Sequence, residues 1–266
     1  MFTKEKINNL FKGEIIGKEI IFLESATSTN DVAAEVGRKR EDPEGIVIIA
    51  DAQTRGRGRL GRAWISPPGV NLYFTVLLKP PFSPAEAPFL TLTAAVAVAA
   101  SVRRHTGLKA EIKWPNDIYF NSKKAGGILL EMKADKDRIS LLSVGVGLNV
   151  NMSMNELPEE ITSLSTSLKA ENRRPVDRTG LLGAILAEME RAYKILLQGN
   201  KRALINEWIH LNCTLGHEII AKDRDRVISG TAENINDRGE LIVRMPDGGT
   251  EILNAGEVTV LKIKTG

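Results

Sequence analysis

The residues best suited to chemistry are concentrated in residues 53–64, QTRGRGRLGRAW, which hold four arginines, three glycines and a tryptophan. Arg55, Arg57 and Arg59 alternate with other residues, so in an extended chain their side chains would lie on one face. Such like charges repel each other unless an anion lies between them. Arginine suits both phosphate and carboxylate, and glycines let backbone N–H groups approach an oxyanion. We call residues 53–64 the arginine loop and interpret it as an anion-binding loop.

The arginine loop has two alternative interpretations, an ordinary solvated loop and an RNA-binding tract. RNA-binding tracts are usually repeated and interleaved with aromatic residues over longer spans, whereas this one is single and lies between predicted strands. Fixing such a loop costs about 1–2 kcal/mol per residue. We therefore expect it to be mobile when empty and ordered by its ligand.

A second candidate combines KWPND at residues 113–117 with KKAGG at residues 123–127. Pro115 disfavours a helix at the residue before it, and the Asn-Asp pair suits a tight turn. Lys124 follows Asp117 by seven residues, just before two glycines. An acidic and a basic group near one turn can orient a substrate and neutralise developing charge. An ordinary β-turn with surface lysines is the alternative.

Two shorter motifs are ambiguous on their own. Residues 145–151, GVGLNVN, resemble a nucleotide-binding glycine loop, but no helix follows promptly, so the dinucleotide fingerprint is not met. Their asparagines could bond a base edge or simply end a strand. Residues 28–30, STN, are typical of a helix N-cap, although a helix N-terminus also binds anions and polar groups.

Charge and composition narrow the class of protein. The chain has 266 residues and a net charge of +3, which the four arginines of the loop alone exceed. Basicity is therefore local, which argues against a general nucleic-acid or membrane surface and favours one anionic ligand at one place.

The cysteines, histidines and apolar runs predict a cytoplasmic protein. A single cysteine, Cys213, rules out an intrachain disulfide and fits a reducing compartment. The three histidines have no ligand-like spacing, so we expect no His/Cys metal site. Residues 1–17 lack a signal-peptide core, and residues 89–102 are too short and too rich in Ala and Thr to span a bilayer.

Capping signals and hydrophobic periodicity predict the helices and strands that carry these motifs. A short amphipathic piece over residues 4–11 precedes them, and Gly37 is expected to end the first helix. Ser83, Pro84 and Glu86 predict a capped, buried helix running to about His105. Predicted strands cover residues 18–25, 45–53, 71–80, 111–114, 118–120, 126–134 and 139–151. Predicted helices cover residues 27–37, 83–105, 177–198 and 202–210.

The last part of the chain changes character. Predicted short strands at residues 216–221, 225–235, 240–245, 250–254 and 257–263 are separated by Asp, Asn and Gly turns. Five such strands predict a small SH3-like β-barrel. We therefore predict two domains, residues 1–212 and residues 213–266, and see no helix-turn-helix before the first strand.

In this order, the motifs resemble those of biotin protein ligases. The family shows an STN segment, a Q-x-x-G-R-G-R-x-G-R-x-W loop, a KWPND turn, a K-x-x-G-hydrophobic-E strand and a G-x-N-x-N ending. The corresponding segments here are residues 28–30, 53–64, 113–117, 124–131 and 147–151. The set covers most of residues 20–165, and the barrel is matched by architecture alone. The resemblance is to the monofunctional kind, without the DNA-binding domain of repressor-type members.

The resemblance implies an α+β fold, with a class II synthetase-like mixed, largely antiparallel sheet, helices and the small C-terminal barrel. It also implies a two-step reaction. ATP and biotin, with Mg²⁺, give biotinyl-5′-AMP, and a lysine of a biotin carboxyl carrier protein then accepts biotin. A homodimer is expected from the family and from the sheet edge that residues 46–52 could offer. No nucleic-acid or membrane partner is expected.

The site residues implied by the resemblance fall into three overlapping sets. The catalytic set is Lys124, Arg57, Arg59 and Asp117. The biotin set is Ser28, Thr29, Asn30, Gln53, Gly56, Arg57, Gly58, Arg59, Lys124 and Gly127. The ATP set is Arg59, Arg62, Trp64, Lys113, Asn116 and Asn149, with no metal ligands assigned.

Three alternative functions remain at this point. A lipoate ligase shares the fold and the adenylation logic, although the intact GRGRLGR run favours biotin. A nucleic-acid-binding protein would use the arginine loop and the barrel, and a barrel-mediated interaction module would need no catalysis. Biotin-dependent exchange of pyrophosphate into ATP separates all of them.

Overall fold

A seven-stranded mixed sheet forms the centre of the larger part of the molecule. The computed structural model describes residues 2, 6–7, 11–223 and 226–261. The strand order is β1-β2-β3-β7-β6-β5-β4, with β1 parallel to β2 and every other neighbouring pair antiparallel. The strands are β1 (Glu19–Ala26), β2 (Ile46–Gln53), β3 (Leu72–Leu78), β4 (Glu111–Lys113), β5 (Asp117–Phe120), β6 (Lys123–Asp135) and β7 (Arg138–Leu148).

Helices cover this sheet and complete its core. They are α1 (Thr29–Lys39), α2 (Ala87–Thr106), α3 (Glu159–Thr162), α4 (Leu168–Asn172), α5 (Arg178–Leu197) and α6 (Lys201–Leu211). Short 3₁₀ turns occur at Arg59–Gly61, Pro84–Glu86 and Met154–Glu156. The α5 side chains predicted to face the core, such as Leu181, Ile185 and Leu196, are buried. The short helices α3 and α4 were not predicted.

The long helix α2 is buried on most sides. The capping box of Ser83 and Glu86 is present, and Gly107 ends the helix in the left-handed conformation (φ 75°). Residues 84–106 are long and apolar enough to cross a membrane, but 67% of their most apolar window is buried inside the protein. Small side chains such as Ala95 and Ala99 let α2 pack closely within the core.

The predicted end of α1 at Gly37 is wrong. The helix continues to Lys39, and the Arg40 N–H bonds the Val36 carbonyl. The reason for a glycine is packing, since a Cβ at Gly37 would lie 2.4 Å from a methyl group of Leu141 on β7. Gly37 therefore lets α1 approach the sheet.

A second, antiparallel sheet forms the C-terminal part. Its strands are β8 (Glu218–Asp223), β9 (Arg226–Ile235), β10 (Leu241–Arg244), β11 (Thr250–Leu253) and β12 (Glu257–Val260). Their order, β11-β10-β9-β8-β12, returns the last strand to the first, as predicted for a small SH3-like barrel. The predicted α+β fold class is confirmed. Residues 4–5, 8–10, 225 and 262–263 of the predicted elements lie outside the described residues.

The two sheets contact each other through Trp114. Its backbone N–H donates to Thr214 Oγ1 at 2.9 Å, and its indole N–H donates to the Gly239 carbonyl at 3.1 Å. These bonds attach the KWPND turn to the C-terminal sheet. The predicted boundary at residues 212 and 213 lies between α6 and β8 and stays a prediction.

The strand argument for a homodimer is wrong. Ile46–Gln53 is not an edge strand, because it pairs with β1 on one side and β3 on the other. Its backbone groups are therefore already used within the sheet. The homodimer itself stays a prediction.

Candidate active site

A cleft of about 1340 Å³ lies between the large sheet and the C-terminal sheet. Its wall includes almost all of the predicted site residues. The exception is Gly56, which lies behind the wall, where a Cβ would be 2.4 Å from the Trp64 carbonyl oxygen. The sequence motifs, whose site residues run from Ser28 to Asn149 along the chain, thus meet in one cavity.

One end of the cleft carries buried or half-buried neutral side chains, with Thr75 bonded behind them; we call this group the amide–hydroxyl cluster: Ser28, Thr29, Asn30, Gln53 and Thr75. Gln53 Oε1 accepts from the Thr29 N–H at 2.7 Å and from the Thr29 hydroxyl at 3.2 Å. The Thr75 hydroxyl donates to Asn30 Oδ1 at 2.6 Å. Ser28 is the N-cap of α1, as predicted, and accepts from the Asn30 N–H. The start of α1 therefore presents fixed donors and acceptors to the cleft.

Asn30 also connects the amide–hydroxyl cluster to charged groups. Its Nδ2 donates to Glu131 Oε2 at 2.8 Å, and the same oxygen accepts from Arg57 at 2.7 Å. Arg57 also pairs with Asp31 at 2.9 Å. Gly145 makes this arrangement possible, because a Cβ there would lie 2.2 Å from Asn30 Oδ1.

The arginine loop is a small closed hairpin rather than an extended strand. Arg57 forms a β-bridge with Ala63, and the Gly58 N–H donates to the Arg62 carbonyl at 2.7 Å. The 3₁₀ turn at Arg59–Gly61 interrupts the alternation. The expectation of one arginine face is therefore wrong, since Arg57 contacts α1 and β6 whereas the next two arginines contact other elements.

Arg59 and Arg62 reach the KWPND turn and the C-terminal sheet. Arg59 Nη1 donates to Asn116 Oδ1 at 3.0 Å and to the Gly256 carbonyl at 3.2 Å. Arg62 pairs with Glu257 at 2.5 Å. Burial lowers the pKa of Arg59, partly offset by the nearby Asp117 and Glu257 carboxylates. A half-buried guanidinium whose bonds here go to an amide and a carbonyl is stabilised by an incoming anion.

Lys124 and Asp117 form the ion pair at the centre of the cleft. Lys124 Nζ lies 2.6 Å from Asp117 Oδ1, and the side chains are 34% and 21% exposed. Gly127 lies directly beside the pair, since a Cβ there would be in ordinary van der Waals contact with both side chains, at 3.4–3.5 Å. Lys124 also lies over the Trp64 ring, 5.7 Å from its centroid. The lysine is thus held in reach of any ligand in the cleft.

Lys113 is a further cation beside this pair. Its Nζ donates to the Tyr119 hydroxyl at 3.3 Å. Burial lowers the pKa of Lys113, and the Asp117 carboxylate partly offsets that effect. Asp117 therefore lies among the positive charges of Lys113, Lys124 and Arg59.

Trp64 lines the cleft, and its indole lies close against β7. A Cβ at Gly147 would lie 2.5 Å from Trp64 Nε1, so only glycine lets the indole approach β7. Among the described residues, this buried Nε1 has no hydrogen-bond partner. The indole is therefore a flat apolar wall with one unused donor.

The two predicted ATP-site asparagines are buried and already bonded. Asn116 Nδ2 donates to the Ile128 carbonyl at 2.8 Å, and its Oδ1 accepts from Arg59. Asn149 Nδ2 donates to the Thr166 carbonyl at 3.2 Å. Both line the cleft, and both also hold neighbouring backbone in place.

Comparison with known protein families gives two matches. Residues 22–149 match the Biotin/lipoate A/B protein ligase family, and residues 214–261 match the Biotin protein ligase C terminal domain. The chain is also similar to the bifunctional ligase/repressor BirA of Bacillus subtilis, with 34% identity over 253 residues. That alignment covers 95% of this chain and 78% of the relative. The chain belongs to the biotin protein ligase family.

Other relatives agree with this membership. The biotin--[acetyl-CoA-carboxylase] ligase of Paracoccus denitrificans is 31% identical over 214 residues, covering 79% of this chain and 88% of the relative. The biotin protein ligase of Aquifex aeolicus, solved in complex with biotin and ATP, superimposes with a TM-score of 0.78 at 29% identity. That match covers 92% of this chain and 99% of the other. This biotin protein ligase family member is thus a ligase enzyme, and the lipoate alternative is not favoured.

Two residues of this ligase site were not assigned roles from the sequence. Thr75 lies in a strand whose other side chains are apolar or aromatic and buried. Its hydroxyl in that setting was the one feature of the sequence that could have indicated a role in the site. Glu131 ends the K-x-x-G-hydrophobic-E motif, yet its pairing with Arg57 and Asn30 depends on the approach of β6 to α1. Such contacts between distant segments leave no spacing signal.

Proposed function

We propose that this chain joins biotin and ATP to form biotinyl-5′-AMP and transfers biotin to a lysine of a biotin carboxyl carrier protein. The observation that carries the proposal is the Lys124–Asp117 pair, which lies near the half-buried Arg59 in the same cleft as the amide–hydroxyl cluster. Neutral donors and acceptors suit an uncharged polar head group, whereas grouped cations suit a carboxylate and phosphates.

The amide–hydroxyl cluster is proposed to bind the ureido ring of biotin. A ureido group has two N–H donors and one carbonyl acceptor, and the cluster offers hydroxyl and amide oxygens together with N–H groups. Ser28, Thr29, Asn30 and Gln53 are buried or half-buried, so each bond to the ligand forms away from water. Gly58 lines the cleft and would let the loop backbone approach the ligand.

In the first step, a biotin carboxylate oxygen attacks the α-phosphorus of ATP and pyrophosphate leaves. Both partners are anionic, so the reaction needs positive charge at the point of contact. Lys124 is proposed to bridge the carboxylate and the α-phosphate, with Arg57 and Arg59 closing over them. These arginines are bonded to protein groups in this structure. Bonds to the ligand would therefore replace some of the bonds to the protein.

In the second step, the amine of the acceptor lysine attacks the acyl carbon, the bond to AMP breaks and the amine loses a proton. Asp117 is proposed to orient the reacting groups or the acceptor lysine. The mixed anhydride hydrolyses readily in water, so the arginine loop is proposed to shield it. Arg62, Trp64, Lys113, Asn116 and Asn149 complete the proposed ATP site.

Mg²⁺ is proposed to accompany ATP rather than to occupy a protein site. In residues 2, 6–7, 11–223 and 226–261, no group of three or more His, Cys, Asp or Glu side chains is placed to hold a metal ion. Mg²⁺ commonly binds substrate phosphates with few protein ligands. The cytoplasmic location, the homodimer and the identity of the carrier protein stay predictions.

The experiment that tests this proposal is biotin-dependent exchange of labelled pyrophosphate into ATP by the purified chain. Exchange that requires biotin is the expected result. Exchange with lipoate but not with biotin would overturn the substrate, and no exchange with either would overturn the proposed reaction.

A further inference from the structure

The backbone of Lys124 is held by a neighbouring segment rather than by the sheet alone. The Lys124 N–H donates to the Leu164 carbonyl at 2.9 Å, and the Lys124 carbonyl accepts from the Thr166 N–H at 2.9 Å. Both bonds come from residues 164–166, which we call the supporting segment. The position of the Lys124 side chain therefore depends on where this segment lies.

The supporting segment also contacts Asn149 on its other side. Asn149 Nδ2 donates to the Thr166 carbonyl at 3.2 Å, and the Asn149 carbonyl accepts from the Leu168 N–H at 3.0 Å. Thr166 thus bonds both Lys124 and Asn149 through its backbone. A shift of this residue would displace together Lys124, which is proposed to bridge the two substrates, and Asn149 of the proposed ATP site.

One carboxylate ties the supporting segment to the start of β6. Glu171 Oε1, on α4, accepts from the Thr166 hydroxyl at 2.6 Å, and Glu171 Oε2 accepts from Asn121 Nδ2 at 2.9 Å. Asn121 (φ 48°) and Ser122 (φ 65°) form the turn that leads into β6, two residues before Lys124. The two oxygens of Glu171 therefore join the two segments on either side of Lys124.

We propose that Glu171 is a positioning residue for adenylation, acting on Lys124 and Asn149 through Thr166 and Asn121. Hydrogen bonds to an ionised carboxylate are about twice as strong as neutral ones, so one side chain suffices to hold both segments. The inference rests on the proposed function and deepens it, because it names the residue that sets the geometry of the ATP half of the site.

The same arrangement predicts a separation between the two substrates. The bonds within the amide–hydroxyl cluster come from α1, β2 and β3, and none of those described above involves residues 164–171. Loss of Glu171 should therefore weaken the use of ATP and leave biotin binding without ATP nearly unchanged. A general loss of stability would instead lower both the use of ATP and the affinity for biotin.

The test is steady-state pyrophosphate exchange with Glu171→Ala, alongside biotin affinity measured by calorimetry without ATP. We expect kcat/KM for ATP to fall about tenfold or more, since small misplacements of reacting groups cost up to about a hundredfold. Biotin affinity should stay within about twofold. Thr166→Val, which removes only the hydroxyl donor, should show a smaller change in the same direction. Glu160→Gln, at an exposed glutamate of α3, is the matched control and should behave as wild type.

Three outcomes decide against the inference in different ways. Unchanged kcat/KM for ATP in both Glu171→Ala and Thr166→Val, with an active wild type, would overturn the role of Glu171 alone. Equal falls in kcat/KM for ATP and in biotin affinity in Thr166→Val would also overturn the role of Glu171. A wild-type chain without exchange would overturn the proposed function and this inference together.

Discussion

The two ends of the cleft are built from different kinds of interaction. The amide–hydroxyl cluster is neutral and mostly buried, and its members bond one another. The other end holds Lys124, Asp117 and Arg59, where charges are paired or partly exposed. The first end resembles a preformed recognition site, and the second resembles a set of charges that exchange partners when an anion arrives.

Recognition of the head group and the chemical step are therefore assigned to different ends of the cleft. Hydrogen bonds between buried neutral groups depend on the shape of the ligand, and each buried group left without a partner costs binding free energy. Such bonds therefore favour selection of one head group. Charges in a partly solvated cleft are weakly held in pairs but act strongly on developing charge once water is excluded. Substitutions at the two ends should therefore affect different kinetic parameters.

The largest expected effect is the loss of the central lysine. Lys124→Ala should reduce biotin-dependent pyrophosphate exchange by about a thousandfold or more, because the positive charge between two anionic reactants is removed. Biotin affinity without ATP should change far less. Exchange kinetics and calorimetric biotin binding measure the two quantities.

The neighbouring lysine provides the control for that substitution. Lys123 is exposed and adjacent to Lys124 on β6, so Lys123→Ala removes the same charge without touching Asp117. It should retain near-normal exchange. Near-normal turnover of Lys124→Ala would remove this lysine from the centre of the mechanism.

A smaller effect is expected at the neutral end. Gln53→Ala removes an amide proposed to bond the ureido ring and the acceptor that positions Thr29, and a ligand polar group left unsatisfied on burial costs about 1–3 kcal/mol. Biotin affinity should fall about tenfold to a hundredfold, while kcat at saturating biotin changes little. Gln198→Ala, at an exposed glutamine that ends α5, is the control. A lowered kcat with unchanged biotin affinity would argue against the separation.

Arg59 should matter more for retaining the adenylate than for forming it. Arg59→Gly removes the contacts with Asn116 and Gly256 that tie the arginine loop to the rest of the cleft. Exchange should fall only several-fold, and free biotinyl-AMP in solution should rise by about tenfold, as measured by chromatography after filtration. Arg55→Gly, at an exposed arginine of the same loop, is the control. If Arg59→Gly retained its adenylate like the control, the loop would not be a clamp.

The smallest effect concerns Cys213, which lines the cleft but belongs to neither end. Burial raises the pKa of the Cys213 thiol to about 12, with a further contribution from Glu111. The neutral S–H form therefore persists until the pH approaches that value, and little thiolate exists at pH 8. Iodoacetamide should label the native protein slowly at pH 8 and the unfolded protein rapidly. Rapid labelling of the native protein would contradict this environment.

Much of the fold was predictable because its signals are local. The capping box at Ser83 and Glu86 marks the start of the α2 region, and the helix predicted over residues 177–198 matches α5, whose N-cap is Asp177. Gly37 was misinterpreted, since a glycine that ends a helix and one that admits a neighbouring Leu141 look the same in a sequence. The edge assigned to β2 failed because strand order depends on non-local pairing.

The motifs named most of the residues that line the cleft, but the connections between them could not be predicted. The motifs named Lys124, Asp117 and Arg59, which the structure brings together. The one-face expectation for the arginines failed, because the 3₁₀ turn at Arg59–Gly61 sends successive side chains to different elements. Their partners come from β6, the KWPND turn and the C-terminal sheet, which spacing along the chain does not reveal.

The most direct test of the separation is the exchange rate of Lys124→Ala and Gln53→Ala at saturating biotin and ATP. Gln53→Ala should recover a rate close to wild type, whereas Lys124→Ala should remain at least about a thousandfold slower. Equal rates for the two variants under saturation would show that the two ends of the cleft do not divide recognition from chemistry.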